Sequence, residues 1–213
     1  MKWMSFGLAL AIAAGGASAA PVDLTFAGTF VKDNDVLKFS FTIDSDRSVG
    51  VVSSSWVSGG FDPILTIFDG AGNKITSQDD GGESGTINVN GTSYTYGVWD
   101  SFYNVNLAAG SYYAVITQYN NFANTDQLAD GFQWDGVDNF TFTQGYGGAT
   151  QAFFNGVWAT PDPRTGAWRF HLLNVDDAVV IDPNALPEPA SMALAGVALL
   201  GLATARRRTA ARR

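Results

Sequence analysis

The segment Val36 to Ile43, VLKFSFTI, sets apolar Leu37, Phe39, Phe41 and Ile43 against polar partners with a period of two. That period fits a strand with one face buried and excludes an amphipathic helix, which needs apolar residues at a spacing of three and four. Leu24 and Phe26 alternate in the same way in VDLTFAGTF. SVGVVSSSW, PILTIFD, KITSQ, TINVN, NVNL, SYYAVITQY and NFTFTQ follow as further short strands, most of them separated by Gly, Asn, Asp or Ser clusters suited to turns. Between the two ends of the chain no segment carries a convincing helical stripe. The expected fold is therefore all-β, an antiparallel jelly-roll-like β-sandwich. A β-helix is the second choice, but no fixed-period repeat supports it.

The two ends are apolar for another reason. Lys2 is followed by an apolar run from Met4 to Ala14 and by Ala17-Ser18-Ala19, a small-residue cleavage site. This is the anatomy of a secretory signal peptide, with Ala17 and Ala19 as the small residues before a cut that follows Ala19, and residues 1–19 removed as a helix that is no part of the fold. At the other end, Ala190 to Ala205 carry no formal charge over 16 residues. As a helix they would reach about 24 Å, short of a hydrocarbon core of about 30 Å, so insertion needs some bilayer thinning. Arg206, Arg207 and Arg208 would stay cytoplasmic by the positive-inside rule. The expected organisation is signal peptide 1–19, sandwich 20–183 with an added C-terminal hairpin at about 150–180 looping at Thr160 to Gly166, and a sorting region 184–213. Both ends export the middle.

Pro187-Glu188-Pro189, the short apolar helix and the terminal arginines together resemble the PEP-CTERM sorting signal of exopolysaccharide-producing Gram-negative bacteria. The resemblance implies recognition by an exosortase-type membrane protease, transient inner-membrane anchoring through residues 190–205, and delivery to the cell surface or extracellular matrix. An exopolysaccharide is the partner it suggests.

The charge of the central domain differs from that of the whole chain, which is −8. Of the 20 acids only Glu188 lies beyond residue 186; of the 12 bases, Lys2 and five arginines lie in the ends. That leaves 19 acids against 6 bases, a net −13, which repels nucleic acid and anionic lipid and attracts cations. Cysteine is absent, so an exported fold of this size relies on core burial rather than disulfides.

Gly59 to Gly82, GGFDPILTIFDGAGNKITSQDDGG, is more specific. Pro63 suits the first residue of a strand. Asp69-Gly70-Ala71-Gly72-Asn73 reads as a turn in which Gly70, Gly72 and Asn73 tolerate positive φ. Asp79-Asp80-Gly81-Gly82 offers carboxylates beside backbone that exposes carbonyls, the oxygen mixture that Ca²⁺ takes. The metal candidates are Asp79 and Asp80, with Asp62, Asp69 or Glu83 as further ligands. A solvated acidic turn, its side chains bonded to nearby N–H groups, fits the same residues. Asp33-Asn34-Asp35 and Asp135-Gly136-Val137-Asp138 read as turns.

Phe61-Asp62-Pro63, the D-x-x-G-N turn, DDGG and the later Leu107-Ala108-Ala109-Gly110-Ser111-Tyr112 resemble an FDP-type exported family and, more distantly, the bacterial pre-peptidase C-terminal (PPC) domain, a small jelly-roll sandwich. The resemblance runs from Asp23 to Phe142.

Catalysis finds little footing. His171 is the single histidine and reads as a packed or edge residue. No G-x-S-x-G, H-E-x-x-H or cysteine nucleophile is present. The expectation is a non-enzymatic protein, requiring no cofactor, with calcium as the ion its residues would suit. A carbohydrate-binding module, calcium-dependent, is the rival reading, and a secreted hydrolase built on a carboxylate pair is the third. The rival rests on Trp56, Tyr94, Tyr96, Trp99, Tyr103, Trp134, Trp158 and Trp168, which could stack sugar rings or fill the core.

Overall fold

A computed structural model describes residues 20–146, 154 and 164–181. Within them the chain forms strands β1 (Val22–Thr29), β2 (Leu37–Ile43), β3 (Arg47–Ser53), β4 (Pro63–Asp69), β5 (Lys74–Gln78), β6 (Gly85–Val89), β7 (Thr92–Tyr96), β8 (Phe102–Leu107), β9 (Gly110–Gln118), β10 (Ala167–Val175) and β11 (Asp177–Ile181). One sheet has the order β1-β10-β3-β8, the other β11-β2-β9-β4-β5, and β6 and β7 pair as a hairpin. Every pairing is antiparallel. Signal peptide, sorting motif and the apolar tail 190–205 lie outside the described residues. Among the described residues no helix is long and apolar enough to cross a membrane.

Alternation decides what faces the core. Phe39 and Phe41 of β2, Leu65 and Ile67 of β4, and Ala114 and Ile116 of β9 meet Val49 and Val51 of β3 and Phe170 and Leu172 of β10 in one buried cluster between the two sheets. The Phe39 and Phe170 rings stack across the interface at 4.7 Å between centroids. Aromatic pairs of this kind add to the burial of apolar area that holds a sandwich together.

Both outer faces are also covered, which explains why β3, β4 and β9 read as near-continuous apolar runs. On the first sheet, Tyr94 of the β6–β7 hairpin packs on Val52 and Leu173. The hairpin turns at Asn90 (φ 49°) and Gly91 (φ 81°), the left-handed pair that a two-residue turn requires. On the second sheet, Phe132 from the long segment after β9 packs on Phe68 and Val115.

Two expectations change. Residues 139–144 are not a strand: Phe140–Thr143 form a single helical turn. Phe140 is fully buried and stacks on Trp134 at 5.4 Å, so the apolar alternation of NFTFTQ reflects one anchoring ring rather than a sheet face. Nor is the C-terminal segment an appendage. The first arm expected for a hairpin there lies outside the described residues, but β10 sits between β1 and β3, and β11 adds to the edge beside β2. β1 joins the first sheet only through β10.

A candidate cation site at one end of the sandwich

β4 and β5 form a hairpin with Leu65 opposite Gln78. Antiparallel pairing therefore brings the residue before β4 beside the residues after β5. Asp62, Asp79 and Asp80 meet there, each offering a carboxylate oxygen within 4.8 Å of the others. Ca²⁺–oxygen distances of about 2.3–2.6 Å place ligands on one ion no more than about 5 Å apart. The spacing of the three carboxylates thus fits a single hard cation.

The surroundings are short of protons. Oδ1 of Asp79 and Oδ1 of Asp80 are buried and accept no hydrogen bond, and the Gln78 side-chain oxygen is in the same condition. Among the described residues neither Asp79 nor Asp80 joins an ion pair. The Ser101 hydroxyl lies 2.7 Å from the Pro63 carbonyl and 3.1 Å from that of Gln78, and it also contacts the Asp79 carbonyl. One hydroxyl proton serves three carbonyl oxygens.

Electrostatics follow from this crowding. Burial, and then the charge of Asp80, push the Asp79 carboxyl up to about 6. Burial raises Asp80 as well. Tyr119 is raised by burial first and then by Tyr146 and the three aspartates, which places its hydroxyl in their field. A divalent cation would reverse the penalty, since it stabilises the charged carboxylates that burial disfavours. The all-oxygen donor set suits Ca²⁺ or Mg²⁺ better than zinc, which favours nitrogen and sulfur.

The other acidic candidates lie elsewhere. Asp69 accepts from the Ala71 and Asn73 amides at 2.9 and 2.8 Å and from the Asn73 side chain at 2.8 Å. These bonds hold its carboxyl below the usual range. In that turn only Gly72 has positive φ. Gly70 is needed for close approach instead, since a Cβ there would lie 2.9 Å from the Ser111 carbonyl. Glu83 is not in the carboxylate group. Asp35 accepts from the Val31 and Lys32 amides, and Asp135 from Phe132, as turn residues do. Asp62 is the ligand whose place was hardest to see. The signal for it was hairpin arithmetic around the turn at residues 69–73, which sets position 62 opposite the loop after Gln78.

Most of the aromatics that could have stacked sugars are packed. Tyr94 and Tyr96 share a face, and it is the buried one. Tyr103 and Trp168 border the core, and Trp134 lies flat on Phe140. Trp99 keeps 36% of its surface and meets Trp56 edge-on at 6.0 Å. The Arg164 guanidinium covers the Trp56 ring at 3.3 Å. Trp158 lies outside the described residues. His171 is buried, its two ring nitrogens 2.8 Å from the Thr25 hydroxyl and 2.9 Å from that of Ser54. Burial and then Arg169 bring its pKa down to about 4, so it is neutral at physiological pH.

The family described as the PEP-CTERM protein-sorting motif matches residues 185–208. The motif marks an exported protein targeted to exosortase, with transient anchoring in the membrane. No curated protein and no solved structure gives a significant match to the chain. The sandwich itself is therefore read from its own residues.

Proposed function

We propose that the chain is a non-catalytic surface or extracellular-matrix component, cut at its sorting motif by an exosortase-type protease and left as a β-sandwich outside a Gram-negative cell. The observation that carries this is the sorting motif at 185–208, only a few residues beyond the last strand, β11. A folded domain whose final strand completes a sheet and then leads directly to the motif is suited to release or transfer as an intact unit. Exopolysaccharide is the partner this location offers. Strand order supports a jelly-roll assignment. Without the β6–β7 hairpin and β11, one sheet contains the first, eighth, third and sixth strands and the other the second, seventh, fourth and fifth.

The test is the intact mass of the protein recovered from the native cell surface and medium. A chain beginning at Ala20 and ending near Pro187, with or without the mass of an attached group, is the expected result. A chain still ending at Arg213 in the membrane fraction would replace this reading with that of a permanently tethered domain. Hydrolysis of a polysaccharide panel by the purified domain would overturn the non-catalytic part.

A second reading concerns Asp62, Asp79 and Asp80. Their mutual spacing and the unsatisfied oxygens of Asp79 and Asp80 support a divalent cation there, most simply Ca²⁺, as a structural staple for a fold without disulfides. Adding Ca²⁺ to the metal-free domain should raise its melting temperature, and Asp79→Asn/Asp80→Asn should abolish the rise. An unchanged melting temperature in wild type would end this reading without touching the first.

A further inference from the structure

On the outer face of the first sheet, beside the β6–β7 hairpin, lies a cavity of about 240 Å³. Its walls include Ser54, Ser58, Ser93, Thr95, Arg169 and His171. Strand alternation explains the composition. Phe170 and Leu172 of β10 point into the core, so Arg169 and His171 point out, toward the hairpin. Four hydroxyls, one guanidinium and one neutral imidazole are thus gathered in a single concave site.

Among the described residues two of the domain's six cations, Lys38 and Arg169, have no ion pair or ring contact, and of these Arg169 lines this cavity. Lys32, Arg47 and Lys74 form ion pairs with aspartates, and Arg164 lies on Trp56. The Arg169 guanidinium has no carboxylate, hydrogen-bond or ring partner among the described residues, although the domain carries 19 acids. The contrast with a larger cavity of about 370 Å³ beside Arg47 is instructive. There the guanidinium is already held by Asp44 and Asp176, so it offers nothing to a ligand. In the Arg169 cavity the imidazole is already engaged, its two nitrogens bonded to the Ser54 and Thr25 hydroxyls. The Ser58 hydroxyl engages no side chain among the described residues.

We propose that this cavity binds a carboxylate-bearing sugar, a uronate residue. Guanidinium geometry suits a planar carboxylate held by two parallel bonds. The Ser93 hydroxyl donates to Asn88, and those of Ser54 and Thr95 are bonded to His171 and Thr86; their oxygens keep acceptor capacity and Ser58 can both donate and accept, which matches a polyol that donates rather than a bare anion. A single cation in a strongly acidic domain suits a singly charged ligand better than a phosphate dianion. The volume lies below the roughly 300–1,000 Å³ of sites for drug-sized ligands, which limits the occupant to about one ring. This site is separate from the aspartate cluster and requires no metal.

The test is titration of the purified domain in EDTA with sodium D-glucuronate, D-glucose and sodium acetate, followed by amide NMR shifts of Ser58, Ser93 and Arg169. Glucuronate should give saturable shifts in that set. Glucose and acetate should each bind about tenfold more weakly or worse, because each lacks half of the recognised chemistry. Arg169→Gln should weaken glucuronate by about tenfold or more, and Ser58→Ala by several-fold, while the charge-matched control Lys38→Gln should leave it unchanged. Arg169 and Ser58 are exposed, and an unchanged melting temperature checks that the fold survives. Equal binding of glucose or of acetate, retained binding in Arg169→Gln, or no saturable shift with glucuronate would each overturn the proposal. Because EDTA is present throughout, none of these outcomes depends on the cation reading.

Discussion

Asp100 and the pair Asp79–Asp80 sit almost back to back, yet they are satisfied in opposite ways. Asp100 is fully buried and accepts from the Ser53 hydroxyl at 2.8 Å and from the amides of Trp56, Val57 and Gly97 at 2.9, 3.0 and 2.8 Å. Its own carbonyl accepts from Gly81 at 2.9 Å, and the next residue, Ser101, faces the carbonyls around the acidic cluster. Two loops curl around Asp100 and direct their N–H groups at it. Around Asp79 and Asp80 the backbone presents carbonyls instead. Both environments are partly or wholly withdrawn from water, so the difference is one of protons. A buried carboxylate needs donors or a cation, and only Asp100 has the donors within the chain.

The largest effect should come from Asp100→Ala, which leaves three loop amides without their acceptor. A loss of about 3–5 kcal/mol in denaturant unfolding is expected, as when one partner of a buried charged network is removed. A loss below about 1 kcal/mol would dissolve the comparison. Next is the cation. At 100 times its dissociation constant, Ca²⁺ should stabilise the domain by about 2.7 kcal/mol, a rise in melting temperature of roughly 5–10 °C for a domain of this size. In calcium-free buffer, Asp79→Asn/Asp80→Asn should be as stable as wild type or more so, since it removes two desolvated like charges. That sign is the opposite of Asp100→Ala and is the sharpest contrast between the two sites.

Acidification should separate two titrating groups in the metal-free protein. His171, with its native pKa down at about 4, takes its proton more readily in the unfolded chain, where it titrates near 6.5. The unfolded state therefore binds more protons between those values, and stability falls as pH drops from about 6.5 to 4, by roughly 3 kcal/mol in full. Asp79, raised to about 6, binds its proton more readily when folded. Its contribution runs the other way, gaining as pH falls from about 6 toward 3.8. Wild type should thus show a shallow profile over pH 6–4, and Asp79→Asn a steeper loss. Chemical denaturation at several pH values would reveal it; parallel profiles would remove the contrast. The smallest effect belongs to Asp69→Ala. It lies in an exposed turn and outside the carboxylate group, so the melting temperature should move by a few degrees at most and the calcium response should remain.

Much of this was legible beforehand because it is local. Period-two alternation located the strands, since burial of one sheet face acts on each residue through its immediate place in the pleat. Pro63 opening β4 and the turn before Lys74 follow from backbone geometry alone. The sorting motif at 185–208 is linear by nature, a run of neighbouring residues recognisable without any fold. Local signals misled where one residue served a distant partner. Phe140 looked like a strand position and is a single ring lying on Trp134. The aromatics looked like a possible sugar platform, and the fold placed Tyr94 under a hairpin and Trp168 against Phe39.

What the chain determined by itself, then, is its strands, its acidity, its lack of disulfides and its sorting tail. Each of these is a property of neighbours in sequence or of composition. Only the tertiary structure decided that Asp62 joins Asp79 and Asp80, that Asp100 is surrounded by amides, and that Arg169 of β10 opens onto hydroxyls from the loop after β3 and from β7 rather than onto one of 19 acids. Those facts depend on which strands become neighbours and on which side chains share a face. Burial then turns that placement into energy, because withdrawing a polar group from water makes its exact partners matter.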